Sequence, residues 1–223
     1  TRPLLDDKVL TEWNAMMTAS LVETATLFNE PTWLLVAEQN GEFLYQQLRV
    51  LDHESKRFFW KRSWQESGEP QARHRALAAD LAHLIDAFTR LGEATGKAIW
   101  ISRACEVADE LVANYWDETN GGLFTIAQDG EQLIVRQKDL LDNATPSANS
   151  TAANALLRLG AITGAERFTL KAHQILRLFT RIAAGAPSAF GNLLLAVHLL
   201  HNGITEIAIT GDKPELVAHV NKQ

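Results

Sequence analysis

Carboxylates and carboxamides gather where apolar helical runs begin. Asp6 and Asp7 stand ahead of "NAMMTASL", which opens on Asn14; Asp80 lies inside "ALAADLAHLIDAF"; "DNATPSANS", residues 142–150, sets Asp142, Asn149 and Ser150 before "TAANALLRL". Two carboxylates on one ligand can act as general acid and base, the arrangement by which most glycosidases work. Helix starts add free N–H groups and a positive dipole end, which favour hydroxyl-rich or anionic ligands. On this reading Asp80 and Asp142 form the acid/base pair with Asp7 in support, and Asp6, Lys8, Trp13, Asn14, His74, Ser147, Asn149 and Ser150 are the candidate substrate contacts.

A second explanation competes at each position. Asp, Asn, Ser and Thr are the preferred N-caps, and Thr145-Pro146 fits a cap followed by proline at the first helical position. One helix start needs one cap, so Asp142, Asn149 and Ser150 are left over. Lys8 can pair with Asp6 or Asp7 on the surface. Trp13, at helical spacing, reads as core, whereas Trp60 and Trp64, beside Arg57, Lys61 and Arg62, are candidates for stacking on a ligand.

Other chemistries find little support. Cys105 is the single cysteine, which excludes an intrachain disulfide and a C-x-x-C pair, and its apolar helical context suggests a buried thiol. His198 and His201 share a helix face near its C-terminal end, where histidine suits the dipole, so no metal or other cofactor is expected. No P-loop, dinucleotide fingerprint or serine elbow is present. A net charge of -6 argues against nucleic acid, and no apolar run reaches the ~18 residues of a membrane span. A cytoplasmic protein is expected. The opening "TRPLLDDK" suggests a piece of a longer chain.

The elements that must position these residues repeat. "NAMMTASLVETATLF", "LAADLAHLIDAFTRL", "NSTAANALLRLGAI" and "FGNLLLAVHLL" have helical period, and the first three are each followed by a second helix. In those second helices Trp33, Trp100 and Phe168 precede Ala37, Ala104 and Ala172 by four residues, at offsets of 67 and 68. Asn14, Asp80 and Asn149 keep a similar register, 66 and 69 apart. Such αα-hairpins stack to bury their apolar faces. The strand-like "RFFWKRSW" and a β-hairpin turning at Asp129-Gly130 are expected as insertions, and "TEIAITGDKPELVAHV" as a strand, a Gly-Asp turn and a helix. The expectation is an all-α dominated fold: an α/α toroid, six-hairpin glycosidase-like and a partial ring, over residues 1–203, with a truncated strand-helix tail over 204–223.

"RPLLDDKVLTEWNAMM", "ALAADLAHLIDAF", "GGLFTI" and "VRQKDLLDNATPSANSTAANALLRL" resemble the C-terminal helical region of the thioredoxin-domain-containing family that includes spermatogenesis-associated protein 20. The resemblance covers nearly the whole chain. It implies a toroid similar to six-hairpin glycosidases and N-acylglucosamine 2-epimerases, an N-terminal thioredoxin-like domain as partner, and motif positions at Asp6, Asp7, Lys8, Trp13, Asn14, Asp80, Asp142, Pro146, Ser147, Asn149 and Ser150. Departures are Ala15, Leu81, Asn143 and Ala148, where the family carries glycine, tyrosine, glycine and glycine. The functional expectation is glycoside hydrolysis or sugar binding in a polar funnel; the alternative is a non-catalytic module that docks the thioredoxin-like domain.

Overall fold

A computed structural model describes residues 6–53, 56–66, 71–130, 134–211 and 213–220. Its elements run β1 (Val9–Leu10), α1 (Thr11–Phe28), α2 (Pro31–Leu48), β2 (Arg49–Leu51), β3 (Phe58–Gln65), β4 (Gln71–Arg75), α3 (Ala78–Thr95), α4 (Ala98–Tyr115), α5 (Ala148–Thr163), α6 (Glu166–Gly185), a 3-10 turn (Pro187–Ala189), α7 (Gly191–Asn202) and α8 (Pro214–Val220). The turns inside the hairpins are short because left-handed residues end the first helices: Asn29, Gly96 and Gly164. Gly96 and Gly164 have φ of 66° and open space around them.

The first helices α1, α3, α5 and α7 pack side by side, and α2, α4 and α6 back them. This is an arc of an α/α toroid. Repeat register governs the packing. A Cβ added at Gly92 would collide with Ile101, and one at Gly160 with Thr169, a pair 68 residues on. Ala37, Ala104 and Ala172 are fully buried at equivalent points of the second helices. Small residues there let the paired helices approach. Trp100 and Phe168 are buried, but Trp33 stays open at 42% because the first hairpin has no preceding neighbour among the described residues.

The strand expected at residues 57–64 forms as β3. It pairs antiparallel with β4 (Lys61 with Arg75, Trp64 with Ala72), with β1 at Trp64 and Ser63, and with β2 at Trp60 to Phe58. Trp60 is not a stacking platform. It is 1% exposed, with ring centroids 5.9 Å from Tyr45 and 6.1 Å from Phe88. Trp64 is half-buried against Phe43, 5.4 Å away. Cys105 is half-buried, and burial pushes its thiol up.

Two expectations are corrected. The β-hairpin around Asp129-Gly130 is absent among the described residues, residues 131–133 lying outside them. A bridge from Trp116 to Leu123 and one bond from the Thr125 N–H to the Gln137 carbonyl remain. Side chains take the place of the ladder: Arg136 donates to the Ile126 carbonyl at 2.8 Å, while Lys138 binds the Gly121 carbonyl and pairs with Asp117 at 2.8 Å. In the tail, residues 203–210 form no strand, and no strand among the described residues pairs with them. The helix follows as α8, and Asp212 of the expected turn lies outside the described residues.

Candidate functional site

α1 begins without a cap of its own, because its N-cap residue is Leu10. Asp80 supplies one from the next hairpin: Oδ1 accepts the Glu12 N–H at 3.0 Å, while Oδ2 accepts the Leu77 N–H at 2.7 Å at the start of α3. One carboxylate thus closes two helix starts. Asp80 is 1% exposed. Burial pushes its pKa up to about 7, against the pull of those two N–H groups.

Asp142 does the same between α5 and α7. Oδ1 accepts the Ser147 N–H at 2.9 Å, and Oδ2 accepts the Asn192 N–H at 2.8 Å and the Leu193 N–H at 3.4 Å. The N-cap of α5 is Ser147, whose hydroxyl oxygen accepts the Ser150 N–H at 3.2 Å. That corrects the expected Thr145-Pro146 cap, which lies just ahead of the helix. Ser147 and Ser150 hydroxyls also bond each other at 2.9 Å. Asn149 clamps the preceding loop, accepting the Leu123 N–H at 2.8 Å and donating to the carbonyls of Leu123 and Asp139 at 3.1 and 3.0 Å. Ser147, Asn149 and Ser150 are all buried. Their polar atoms make hydrogen bonds within the fold.

Burial and capping leave other groups on the rim. Glu12 is half-buried, and loss of solvent raises its pKa; the Thr145 side chain hydrogen-bonds it, and the charges of Arg62 and Asp139 act on it. Asp139 is raised first by burial and then by the charge of Asp142, while its carboxylate accepts the Ala148 N–H. Glu12, Asp139, Thr145 and Arg62 therefore surround the capped starts of α1 and α5. Sequence reasoning took Thr145 for a cap and Arg62 for a neighbour of the strand tryptophans, and did not single out Glu12 or Asp139.

The remaining nominated residues scatter around this rim. Asp6 pairs with Lys8 at 3.3 Å on the surface, and Asp7 accepts the Gln65 side-chain amide at 2.7 Å. Asn14 donates to the Leu10 carbonyl at 2.9 Å, the i−4 position. Trp13, expected in the core, is 61% exposed. His74 lines a cavity of about 690 Å³ with Lys8, Arg62 and Arg75, its backbone left-handed at φ 58°.

Below the rim the first helices line a concave groove of about 400 Å³. Met16, His83 and Thr151 share one register position, and Glu23, Arg90 and Arg158 share another, again 67 and 68 residues apart. Arg90 pairs with Asp86 at 3.0 Å and Glu23 at 3.2 Å, and Arg158 with Glu93 at 2.7 Å. Arg90–Glu23 ties α3 to α1 and Arg158–Glu93 ties α5 to α3, whereas Arg90–Asp86 lies within α3. Burial drives the His83 pKa down to about 4, so the ring is neutral near pH 7. Among the described residues no three His, Cys, Asp or Glu side chains are grouped to hold a metal ion, and no helix is long and apolar enough to cross a membrane.

No protein-family profile matches the chain. It is 29% identical over 222 residues to an uncharacterised protein of Caenorhabditis elegans, covering 99% of this chain and 30% of that one. It is 27% identical over 216 residues to spermatogenesis-associated protein 20 of Homo sapiens, covering 95% and 27%. The chain thus spans less than a third of these relatives, and the resemblance read from the sequence holds over nearly all of it. Among solved structures it is similar to cellobiose 2-epimerase of Spirochaeta thermophila (TM-score 0.60, 19% identity, 78% of this chain and 43% of that one). A glycoside hydrolase family 76 mannosidase of Bacteroides thetaiotaomicron aligns with a TM-score of 0.59, 12% identity, and 76% and 44% coverage. At such identities the likeness establishes the fold, the α/α toroid.

Proposed function

We propose that the chain supplies the carboxylate-bearing wall of a carbohydrate site, and that Glu12 and Asp139 are the acid and base that hydrolyse a glycosidic bond there. The observation that carries this reading is the pairing of two titratable carboxylates with raised pKa values at the helix starts, flanked by Arg62 and Thr145. Solved toroids of the same fold act, by their names, on cellobiose and mannosides. In this reading Glu12, whose pKa burial raises, gives its proton to the leaving oxygen, and Asp139 takes a proton from the attacking water. Asp80 and Asp142, the pair nominated from the sequence, hold the helix starts that carry the pair in use. Localisation in the cytoplasm belongs to this proposal as well.

The test is release of reducing sugar from α-mannan or cellobiose by the chain and by its Glu12→Gln and Asp139→Asn variants. Each substitution is expected to lower the rate at least ~100-fold with melting temperature unchanged. A wild-type chain that releases nothing, or variants that retain full rate, would sink the assignment.

A second reading has its own support: every carboxylate oxygen of Asp80 and Asp142 accepts a backbone N–H. In that reading the motif is purely architectural, and the chain is a non-catalytic module docking a thioredoxin-like domain. Titration of the chain with such a domain decides it. Tight binding that Glu12→Gln and Asp139→Asn leave intact, with no sugar released, favours the module.

A further inference from the structure

The cavity of about 690 Å³ beside the helix starts differs in charge from everything around it. Among the described residues its ionisable lining consists of Lys8, Arg62, His74 and Arg75, with no carboxylate, in a chain whose net charge is -6. The remaining walls are small or apolar, from β3 across Leu77 at the start of α3 to Ile126 and Gly130. Counter-ions sit outside it. Lys8 reaches Asp6, and Arg75 reaches Glu110 at 3.1 Å and Asp129 at 3.6 Å. Arg75 is held by those two partners. Arg62 is exposed, and its charge acts on both Glu12 and Asp80, so it stands between the cavity and the carboxylate rim.

Backbone geometry adds a second observation. Among the described residues, His74 is one of three non-glycine residues with positive φ, at 58°. Such a backbone is strained for a residue with a Cβ, and strain of this kind concentrates at ligand sites. β4 keeps its pairing with β3 on both sides of it, Arg73 opposite Ser63 and Arg75 opposite Lys61. The ladder therefore holds the His74 backbone in place beside the cavity.

We propose that this cavity is an anion subsite of the carbohydrate site, so that the ligand is an acidic sugar whose phosphate or carboxylate lies between Arg62, His74 and Lys8. Arg62 offers a planar fork of donors suited to either group, and Lys8 a point charge. The sugar ring then extends past Arg62 toward Glu12. The inference rests on the carbohydrate reading for the sugar part of the ligand and on the cavity alone for the anion.

The test is calorimetric titration of the chain with D-mannose, D-mannose 6-phosphate, D-glucuronate and inorganic phosphate. Expected is binding of the phosphorylated or the carboxylated sugar at least ~10-fold tighter than D-mannose, weakening with salt. The two acidic arms tell which anion is preferred. Arg62→Gln should erase that preference, weakening the acidic sugars at least ~10-fold more than D-mannose. His74→Gly, which suits the left-handed backbone and so protects the fold, should weaken acidic ligands several-fold. D-mannose binding as tightly as its phosphate, or a preference that survives Arg62→Gln, overturns the proposal. Inorganic phosphate binding as tightly as the sugar phosphate, without binding of any neutral sugar, leaves the anion subsite standing and removes the carbohydrate reading; no binding of any probe removes both.

Discussion

Asp80→Asn separates the two roles open to this residue. The buried carboxylate has a pKa of about 7 in the fold against an ordinary 3.8. Between about pH 4 and 7 the folded chain therefore holds a proton that the unfolded chain has released. The sign follows: this group's contribution to stability falls as pH rises through that window and levels off above it. Three units correspond to at most about 4 kcal/mol. Asparagine at position 80 does not titrate, and it can accept from only one of the N–H groups of Glu12 and Leu77, since its other arm is a donor. One buried N–H is left unpaired, at about 1–3 kcal/mol. Urea denaturation followed by circular dichroism at pH 5 and pH 8 measures the difference between wild type and variant. The penalty of Asp80→Asn should be largest at pH 5 and should shrink, or change sign, at pH 8. A penalty that is constant or grows toward pH 8 would mean that the dipoles of α1 and α3 keep Asp80 ionised throughout, and the burial argument would be wrong.

Two further perturbations address the frame of the site. Asn149→Ala removes three hydrogen bonds from a buried position and should destabilise by about 3 kcal/mol while opening residues 121–139 to limited proteolysis; unchanged cleavage of that loop would contradict its role as a clamp. Gly160→Val drives a side chain into Thr169 and should lower stability by about 1–3 kcal/mol, and Thr169→Ala in the same chain should restore part of it; additive losses in the double variant would show that the contact is not the cause.

The repeat was legible because its signal is periodic and redundant. Trp100 and Phe168 with Ala104 and Ala172 report packing that every hairpin must satisfy, and all four lie in the core. The end of the arc reads differently for the same reason: Trp33 follows the pattern without a neighbour to cover it. At the site, residue type misled. Asp142, Asn149 and Ser150 looked surplus because capping was counted one helix at a time, whereas Asp80 and Asp142 each cap a helix belonging to another hairpin. Thr145 looked like the cap and instead meets Glu12 across the rim. These are long-range bonds, and local spacing carries no trace of them. The expected hairpin at Asp129-Gly130 failed similarly, since Arg136 and Lys138 satisfy carbonyls that a ladder would have taken.

Stacked repeats ordinarily behave as a row of weakly coupled units, and such rows fray from their ends one unit at a time. Here the coupling is stronger at two joints. Loss of α3 would strip α1 of the acceptor for its Glu12 N–H, and loss of the segment around Asp142 would do the same to α7, so a neighbour cannot unfold without exposing an unpaired helix start beside it. The terminal elements are thereby tied into the melting of the middle. The arc has the contacts of a repeat array, but these shared caps are expected to make it melt as a single cooperative unit, which would keep the carboxylate rim in register across three hairpins.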